Sequence, residues 1–336
     1  MRRLFFAALI FFFLGPVPGT AFRYPAIDLT QRATARPLVF APQDAGVMRF
    51  VRGWRLESPH SRFGGFSALA RTGPGGFLLV GDNGYWTRLG IGADGAVSDV
   101  RIDALPTPDG RPRRKAMVDS EALARDPASG RVWIALEGIN QIWRIDPDLS
   151  AIEARRKLPG SRWPANRGPE AMARLADGRT VVFSEDADDD PRGREALLFT
   201  GDPAEPGAAP IRFLYDSDGR GLVSDAAPLP DGRILLVHRR LGFDPVFTTI
   251  LAILDPADIA KDAVVRARTI GRVPVPLAEN YEGAAVSVEG GRTLLWLVAD
   301  DNFNVWQRSL LLQFQLVDLP PRKVPDSKKA ARKPAA

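Results

Sequence analysis

The chain has 336 residues, 45% of them hydrophobic and 25% charged, with no cysteine, two histidines and a pI near 9.7. That much apolar sequence supports a large core and excludes general disorder. The missing cysteines exclude disulfides, thiolate zinc sites and attachment through a lipidated cysteine, and two histidines do not make an imidazole-rich metal centre. The basic excess is terminal: of 45 basic and 40 acidic residues, Arg2, Arg3 and the six basic residues from Arg322 onward (with Asp326) lie at the ends, leaving 37 basic and 39 acidic residues in the body, so charge does not mark it as a nucleic-acid binder.

Residues 1–21, "MRRLFFAALIFFFLGPVPGTA", place two arginines before an apolar run and a small-residue exit. This is the pattern of a cleaved secretory signal, too short to span a bilayer, and it predicts a periplasmic or secreted protein with no stable membrane insertion after cleavage. Mature sequence would begin near Ala21 or Phe22. An N-terminal segment, 22–45, precedes a domain at 46–319, and the tail 320–336 is basic, poor in hydrophobic residues and expected to be disordered.

Five segments of the body share one pattern: "GGFSALARTGPGGFLLVGDNG" from Gly64, "DSEALARDPASGRVWIALEG" from Asp119, "GPEAMARLADGRTVVFSED" from Gly168, "VSDAAPLPDGRILLVHRR" from Val223 and "YEGAAVSVEGGRTLLWLVADDN" from Tyr281. Anchored on Ser67, Glu121, Glu170, Asp225 and Glu282, they recur every 49 to 57 residues. Each reads as a strand of small and apolar residues, a Gly-containing turn, and a strongly apolar strand ending in polar residues. Between them lie further strands such as "QIWRID", "ALLFT", "IRFLYD" and "TTILAILD". Four strands per unit of about fifty residues predict an all-β chain, a β-propeller of five four-stranded blades with room for a degenerate sixth. "GVMRFVRGWRLES", residues 46–58, is expected to complete the last blade, and "PADIAKDAVV" is the best helix candidate.

An antiparallel hairpin brings the start of its first strand and the end of its second to the same end of the sheet. The polar residues at these places therefore converge on one mouth of the channel: Asp82 and Asn83; Glu121 and Glu137; Glu170, Glu185 and Asp186; Asp225, His238 and Arg239; Glu282, Asp300, Asp301 and Asn302. So many carboxylates repel one another unless protonated, paired or metal-bound. Arg239, Arg167 and Arg62 can pair with a few. The oxygen-only remainder suits a hard divalent cation, Ca²⁺ first. The competing reading makes these residues turn formers and backbone acceptors that hold the ring together.

The stretches "GFSALAR…FLLVGDNGYW", "DSEALARDP…GRVWIALEG", "NRGPEAMARLADGRTVVFSED" and "NYEGAAV…LLWLVADDNFN" resemble, in order, the bacterial phytase-like family, or "esterase-like activity of phytase". The resemblance implies an exported β-propeller-like protein with a metal-dependent phosphoester-hydrolysing site. It gives candidate status to Asp82, Glu121, Glu170, Glu185, Asp186, Glu282, Asp300 and Asp301.

Other motifs fail on context. "GIGADG" lacks the following helix of a nucleotide loop, and "DADDDPRG" has Pro191 and Leu197 where a calcium loop needs Gly and Glu. Ser224, Asp225 and His238 can be written as a triad, but no nucleophile elbow surrounds them.

The sequence thus predicts an exported, monomeric, metal-dependent phosphoester hydrolase acting on a small phosphorylated or ester substrate, with no nucleic-acid partner. Asp82, Glu185, Asp186, Asp225, Glu282, Asp300, Asp301 and Asn302 are the expected metal ligands. His238, Arg239, Glu121 and Glu170 are the expected catalytic groups. The alternative is a non-catalytic binding propeller with structural Ca²⁺, presenting Trp86, Trp143, Trp163, Trp306 and Tyr281.

Overall fold

Five antiparallel sheets surround a central axis in the computed structural model, which describes residues 26–39, 44–108, 115–158, 163–164, 167–185, 190–207 and 209–322. Blade I comprises Phe66–Gly73, Gly76–Gly81, Tyr85–Ile91 and Val97–Ala104. Blade II comprises Ser120–Arg125, Val132–Leu136, Gln141–Ile145 and Ile152–Lys157. In blade III, Pro169–Arg174, Thr180–Ser184, Arg194–Phe199 and Ile211–Asp216 are joined at the outer edge by a parallel fifth strand, Val264–Arg266. Leu222–Pro228, Ile234–Leu241, Phe247–Leu254 and Arg268–Arg272 form blade IV.

Blade V joins the two ends of the chain. Tyr281–Glu289, Arg292–Ala299 and Leu310–Leu316 pair in sequence order, and Met48–Glu57 then adds beside Leu310–Leu316, as residues 46–58 were expected to do. Thr34–Pro37 and Asp44–Ala45 pair with Met48–Glu57 in turn. The closure removes the open ends a ring of sheets would otherwise leave.

The expected helix around "PADIAKDAVV" is a single 3-10 turn, Pro256–Asp258, followed by the Val264–Arg266 strand. Asp255 caps the turn through the Ala257 amide, and Asp262 at a positive φ of 59° reverses the chain before a helix can grow. One short helix the sequence reading did not anticipate, Lys115–Val118, precedes blade II.

The core is divided among the blade interfaces. Five separate clusters of buried side chains fill the wedges between neighbouring blades. At the closure between blades V and I, Trp296 is fully buried, stacks with Trp54 at 6.4 Å and meets Phe77 edge-on at 4.9 Å. Aromatic pairs of this kind contribute about 1 kcal/mol beyond area burial. Near the axis the inner strands of blades V and I approach closely at Gly283. A Cβ at Gly283 would lie 2.9 Å from the backbone of Ala68 in the next blade.

Every inner strand has the same irregularity near its start. The pairing with the second strand skips one residue between Phe66 and Ala68, Ser120 and Ala122, Pro169 and Ala171, Val223 and Asp225, and Tyr281 and Gly283. Ser67, Glu121, Glu170, Ser224 and Glu282 are therefore bulged, and a bulge re-aims the side chain it leaves unpaired. The repeat had been anchored on Asp225 in blade IV, whereas the equivalent residue is Ser224. A shift of one residue along a strand reverses the face a side chain occupies, and Asp225 accordingly takes the place held by Ala68, Ala122, Ala171 and Gly283.

Candidate functional site at the propeller mouth

The five bulged residues divide into two chemistries. Ser67 donates to the Ser120 carbonyl of the next blade, and Ser224 donates to the Tyr281 carbonyl of its next blade at 3.0 Å. These two hydroxyls tie blades together. Glu121, Glu170 and Glu282 occupy the same position in blades II, III and V, and there they build the mouth.

Glu121 lies between Asp119, which begins the approach to its strand, and Glu137, which follows the second strand of the same blade. One carboxylate oxygen from each of these three residues lies within 4.8 Å of the others. Burial, then repulsion from Glu170, Asp119 and Glu137, raises the Glu121 carboxyl well above its ordinary range. Burial raises Glu137 to about 7 against the bond it accepts from the Gly168 amide at 3.1 Å, and burial also raises Asp119.

Glu170 belongs to the same acidic group. Burial and the nearby Glu185 and Glu137 push its carboxyl well up, while Arg239 partly relieves it, and its Oε2 is buried without a hydrogen-bond partner. Asp82, from the end of the second strand of blade I, likewise has a buried, unpartnered Oδ1, while its Oδ2 binds Lys115 Nζ at 2.8 Å. Lys115 also lies 3.8 Å from Asp119, so its ammonium bridges the acids of blades I and II. Asp82 is the first cause of the raised Lys115 pKa.

Blades III, IV and V form a second group around Arg239. Its guanidinium bonds the Glu282 carboxylate and the Asn280 side-chain oxygen at 3.0 Å, and lies 3.6 Å from Glu185. Asn280, almost fully buried, donates to Glu282 at 3.0 Å and toward Asp300 at 3.4 Å. Asp300 is buried, accepts the Asn302 amide at 2.7 Å and is raised to about 6, first by burial. Asp82 and Asp301 add repulsion, and Arg239 opposes it.

Several expected site residues have other duties. Asp301 accepts the Gly65 amide at 2.9 Å, the Phe303 amide at 3.1 Å and the Ser309 hydroxyl at 2.8 Å, so both its oxygens are occupied in joining blade V to the entry of blade I. Asn302 adopts a positive φ of 48° in the turn and bonds Gln307. Asp225 is buried, with its oxygens on the Ala226 and Ala284 amides at 2.7 and 2.6 Å, a clamp between blades IV and V. Burial raises its pKa well above the ordinary range.

His238 is also placed in the interior. It is fully buried, bonds the Tyr215 hydroxyl through Nε2 at 2.8 Å, and is lowered to about 3 by burial and then by Arg220. An imidazole that stays neutral inside a blade interface does not exchange protons with a ligand in the mouth. The written triad does not assemble, since Ser224, Asp225 and His238 bond Tyr281, Ala284 and Tyr215 respectively. Asp186 lies outside the described residues. Of the aromatic residues expected on a binding face, Trp86, Trp143, Trp163 and Tyr281 are buried, and Trp306 alone is exposed, at 88%.

Sequence reasoning missed Asp119 and Lys115. Both had a signal: Asp119 is an acid two residues before the repeat glutamate, and Lys115 stands four residues before Asp119, within reach along a helical turn.

Residues 61–303 match the family described as phytase-like, esterase-like activity of phytase. A propeller with an acidic mouth defines the class of architecture, and the chain belongs to this family. A search of curated proteins gives no match. Similar solved structures include a streptogramin B lyase (12% identity, 83% of this chain and 76% of that one, TM-score 0.39). Others are the hydrazine synthase of Kuenenia stuttgartiensis (12% identity, 72% and 58%, TM-score 0.41) and the RRP9 WD40 repeats (8% identity, 82% and 100%, TM-score 0.40).

Proposed function

We propose that the mouth is a cation-assisted phosphoester-hydrolysing site, and that the protein acts after export through its signal sequence. The observation that carries this reading is the Asp119–Glu121–Glu137 cluster, three carboxylate oxygens within 4.8 Å, with the buried Glu170 Oε2 lacking a partner nearby. Carboxylates held this close without enough donors fit a hard cation, which would offset their mutual repulsion. Asp119, Glu121 and Glu137 would hold it. A divalent ion there, Ca²⁺ by donor chemistry, would polarise a phosphoryl oxygen and lower the pKa of a bound water.

The chain's own groups supply the rest. Glu170, whose carboxyl burial and Glu185 push well above its ordinary range, has the character of a general acid for the leaving oxygen. Lys115 and Arg239, on opposite sides of the acidic cluster in sequence and blade order, bring positive charge toward a bound phosphoryl group. The family description, with its esterase-like activity, is consistent with this reaction class.

The test is turnover of p-nitrophenyl phosphate and bis(p-nitrophenyl) phosphate by mature protein, with and without Ca²⁺ and after chelation. Hydrolysis that disappears with chelator and with Glu121→Gln supports the site. A protein that binds Ca²⁺ and melts lower without it, yet hydrolyses neither ester, is the non-catalytic binding propeller instead. Export is tested by mass spectrometry of the mature N-terminus from the periplasm or medium. Intact Met1 on a cytoplasmic protein removes that part of the proposal.

A further inference from the structure

The five inner strands have a second end, where they turn into the second strands of their blades, and there the channel widens into a cavity of about 790 Å³. Its wall is mostly apolar: Leu69, Leu123, Met172, Ala226, Leu229 and Ala284 face it, among others. A largely apolar cavity of this size with a few polar groups has the usual character of a small-molecule site.

The polar groups are set by the repeat. Three residues beyond Ala68, Ala122 and Ala171 stand Arg71, Arg125 and Arg174, and the equivalent positions of blades IV and V hold Pro228 and Val286. All five line the cavity. One side of the funnel, built by blades I to III, is therefore cationic, and the side built by blades IV and V is apolar.

The three arginines differ in what they already bind. Arg71 is paired with Glu289 at 3.0 Å and lies over the rings of Phe77 and Trp296, so its charge is used within the fold. Arg174 lies 4.2 Å over Trp133 and bonds Gly178 and Thr180, with no carboxylate in ion-pair contact among the described residues. Among the described residues, Arg125 donates to the Arg71 carbonyl at 3.3 Å and to no other group. Burial and then the nearby Arg88 depress its pKa, and the neighbouring Asp126 opposes them. The two acids of the cavity, Glu289 and Asp126, are occupied by Arg71 and by the Ser129 hydroxyl and local amides.

We propose that this funnel is a second binding site, separate from the acidic mouth, for an amphipathic organic anion of the medium-chain carboxylate type. Its acidic head sits on Arg125 and Arg174, and its hydrocarbon part lies against Leu229 and Val286. Arginine N–H groups suit a planar carboxylate, and the apolar wall excludes a small hydrophilic anion by offering it nothing on its other side.

The experiment is calorimetric titration of the mature protein with octanoate, and with 1-octanol as the uncharged probe of matching chain length. Saturable binding of one octanoate, with octanol at least about tenfold weaker, is expected. Arg125→Gln, which removes a side chain holding a single hydrogen bond, should weaken octanoate by about tenfold while leaving melting temperature and mouth chemistry unchanged. Val286→Glu, placing a negative charge on the half-buried apolar wall, should weaken it independently. Glu121→Gln at the other end of the channel should leave octanoate affinity as it is, whether or not the mouth hydrolyses esters. Equal affinity for octanol, equal affinity of both funnel variants and the unaltered protein, or no binding heat up to about 5 mM octanoate would each overturn the proposal.

Discussion

Blades II and V meet the mouth with equally acidic sequences, and their acids do different things. Blade V ends its second strand in Asp300–Asp301–Asn302, and nearly every oxygen there accepts an amide or hydroxyl of a neighbouring turn. Blade II contributes Asp119, Glu121 and Glu137, which face one another with few donors between them. N–H groups aimed at a carboxylate tie it to the fold and oppose the rise that burial imposes on its pKa, as at Asp225 and Asp300. Carboxylates left facing other carboxylates stay protonated or attract a cation. The count of acids at a strand end is therefore less informative than the count of donors aimed at them.

The largest expected effect comes from blade II. Glu121→Gln keeps the shape of the side chain and removes one charge from the three-carboxylate cluster. Ca²⁺ affinity measured by calorimetry should fall by about 100-fold, with any phosphoester turnover falling alongside, because a hard cation is held by ligand charge. Melting temperature in chelator should rise or stay level, since the substitution removes a repulsive neighbour of Glu170. Unchanged Ca²⁺ affinity would dissolve the distinction between the two blades.

Next is the clamp that the sequence placed among the metal ligands. Asp225→Ala leaves the buried Ala226 and Ala284 amides without acceptors, at a cost of about 1–3 kcal/mol each. Urea unfolding should show a loss of several tenths to a few kcal/mol even after relaxation, while Ca²⁺ content stays the same. Ser224→Ala, which removes one hydroxyl bond to Tyr281, should cost about 1 kcal/mol. Loss of Ca²⁺ in Asp225→Ala at preserved stability would return Asp225 to the mouth.

The pH dependence separates the blades in a third way. In the absence of cation, the Glu137 carboxyl titrates near 7 in the folded protein against 4.5 as the ordinary value. Between these values the folded state keeps a proton that the unfolded state has lost, so stability is highest below about 4.5 and falls as pH rises through about 7. Urea midpoints in chelator should decrease from pH 5 to pH 8, and Glu137→Gln should flatten that decrease. With Ca²⁺ present the trend should weaken or reverse over the same window, because the ionised carboxylates bind the ion. A midpoint that climbs with pH in chelator would contradict the assignment.

Much of the fold was legible because it is repeated. Apolar second strands, Gly turns and near-constant spacing announce blades whatever the details of each, and residues 46–58 could be assigned to the closing blade because an unpaired strand there had one open edge to join. The site was legible only to the level of which strand ends carry acids. The bulge that selects Ser224 over Asp225 leaves no mark in composition, and the shift of one residue it introduces decides which side chain enters the mouth. His238 sits on the strand end that the pattern predicts, but its ring turns into the interface with Tyr215. Lys115 belongs to a short helix between blades, outside the repeat, so an alignment of repeats could not bring it to Asp82.

The smallest expected effect is also the sharpest test of the comparison. Asp301 accepts two amides on Oδ1 and the Ser309 hydroxyl on Oδ2. In Asp301→Asn the carboxamide oxygen keeps both amides, and its NH₂ can donate to the Ser309 oxygen once that hydroxyl rotates, so each of these three contacts survives in altered form. What is lost is charge assistance, about 1 kcal/mol for hydrogen bonds to an ionised group relative to neutral ones. Melting should therefore drop by a few degrees at most, and Ca²⁺ affinity should stay within about twofold of the unaltered protein, as expected for a residue that no longer offers a free oxygen. Replacing the same residue with Ala should cost more, because the Gly65 and Phe303 amides then lose their acceptor. If Asp301→Asn instead abolishes Ca²⁺ binding while Glu121→Gln spares it, the cation belongs to blade V, and the rule that unpaired carboxylates mark the site fails for this propeller.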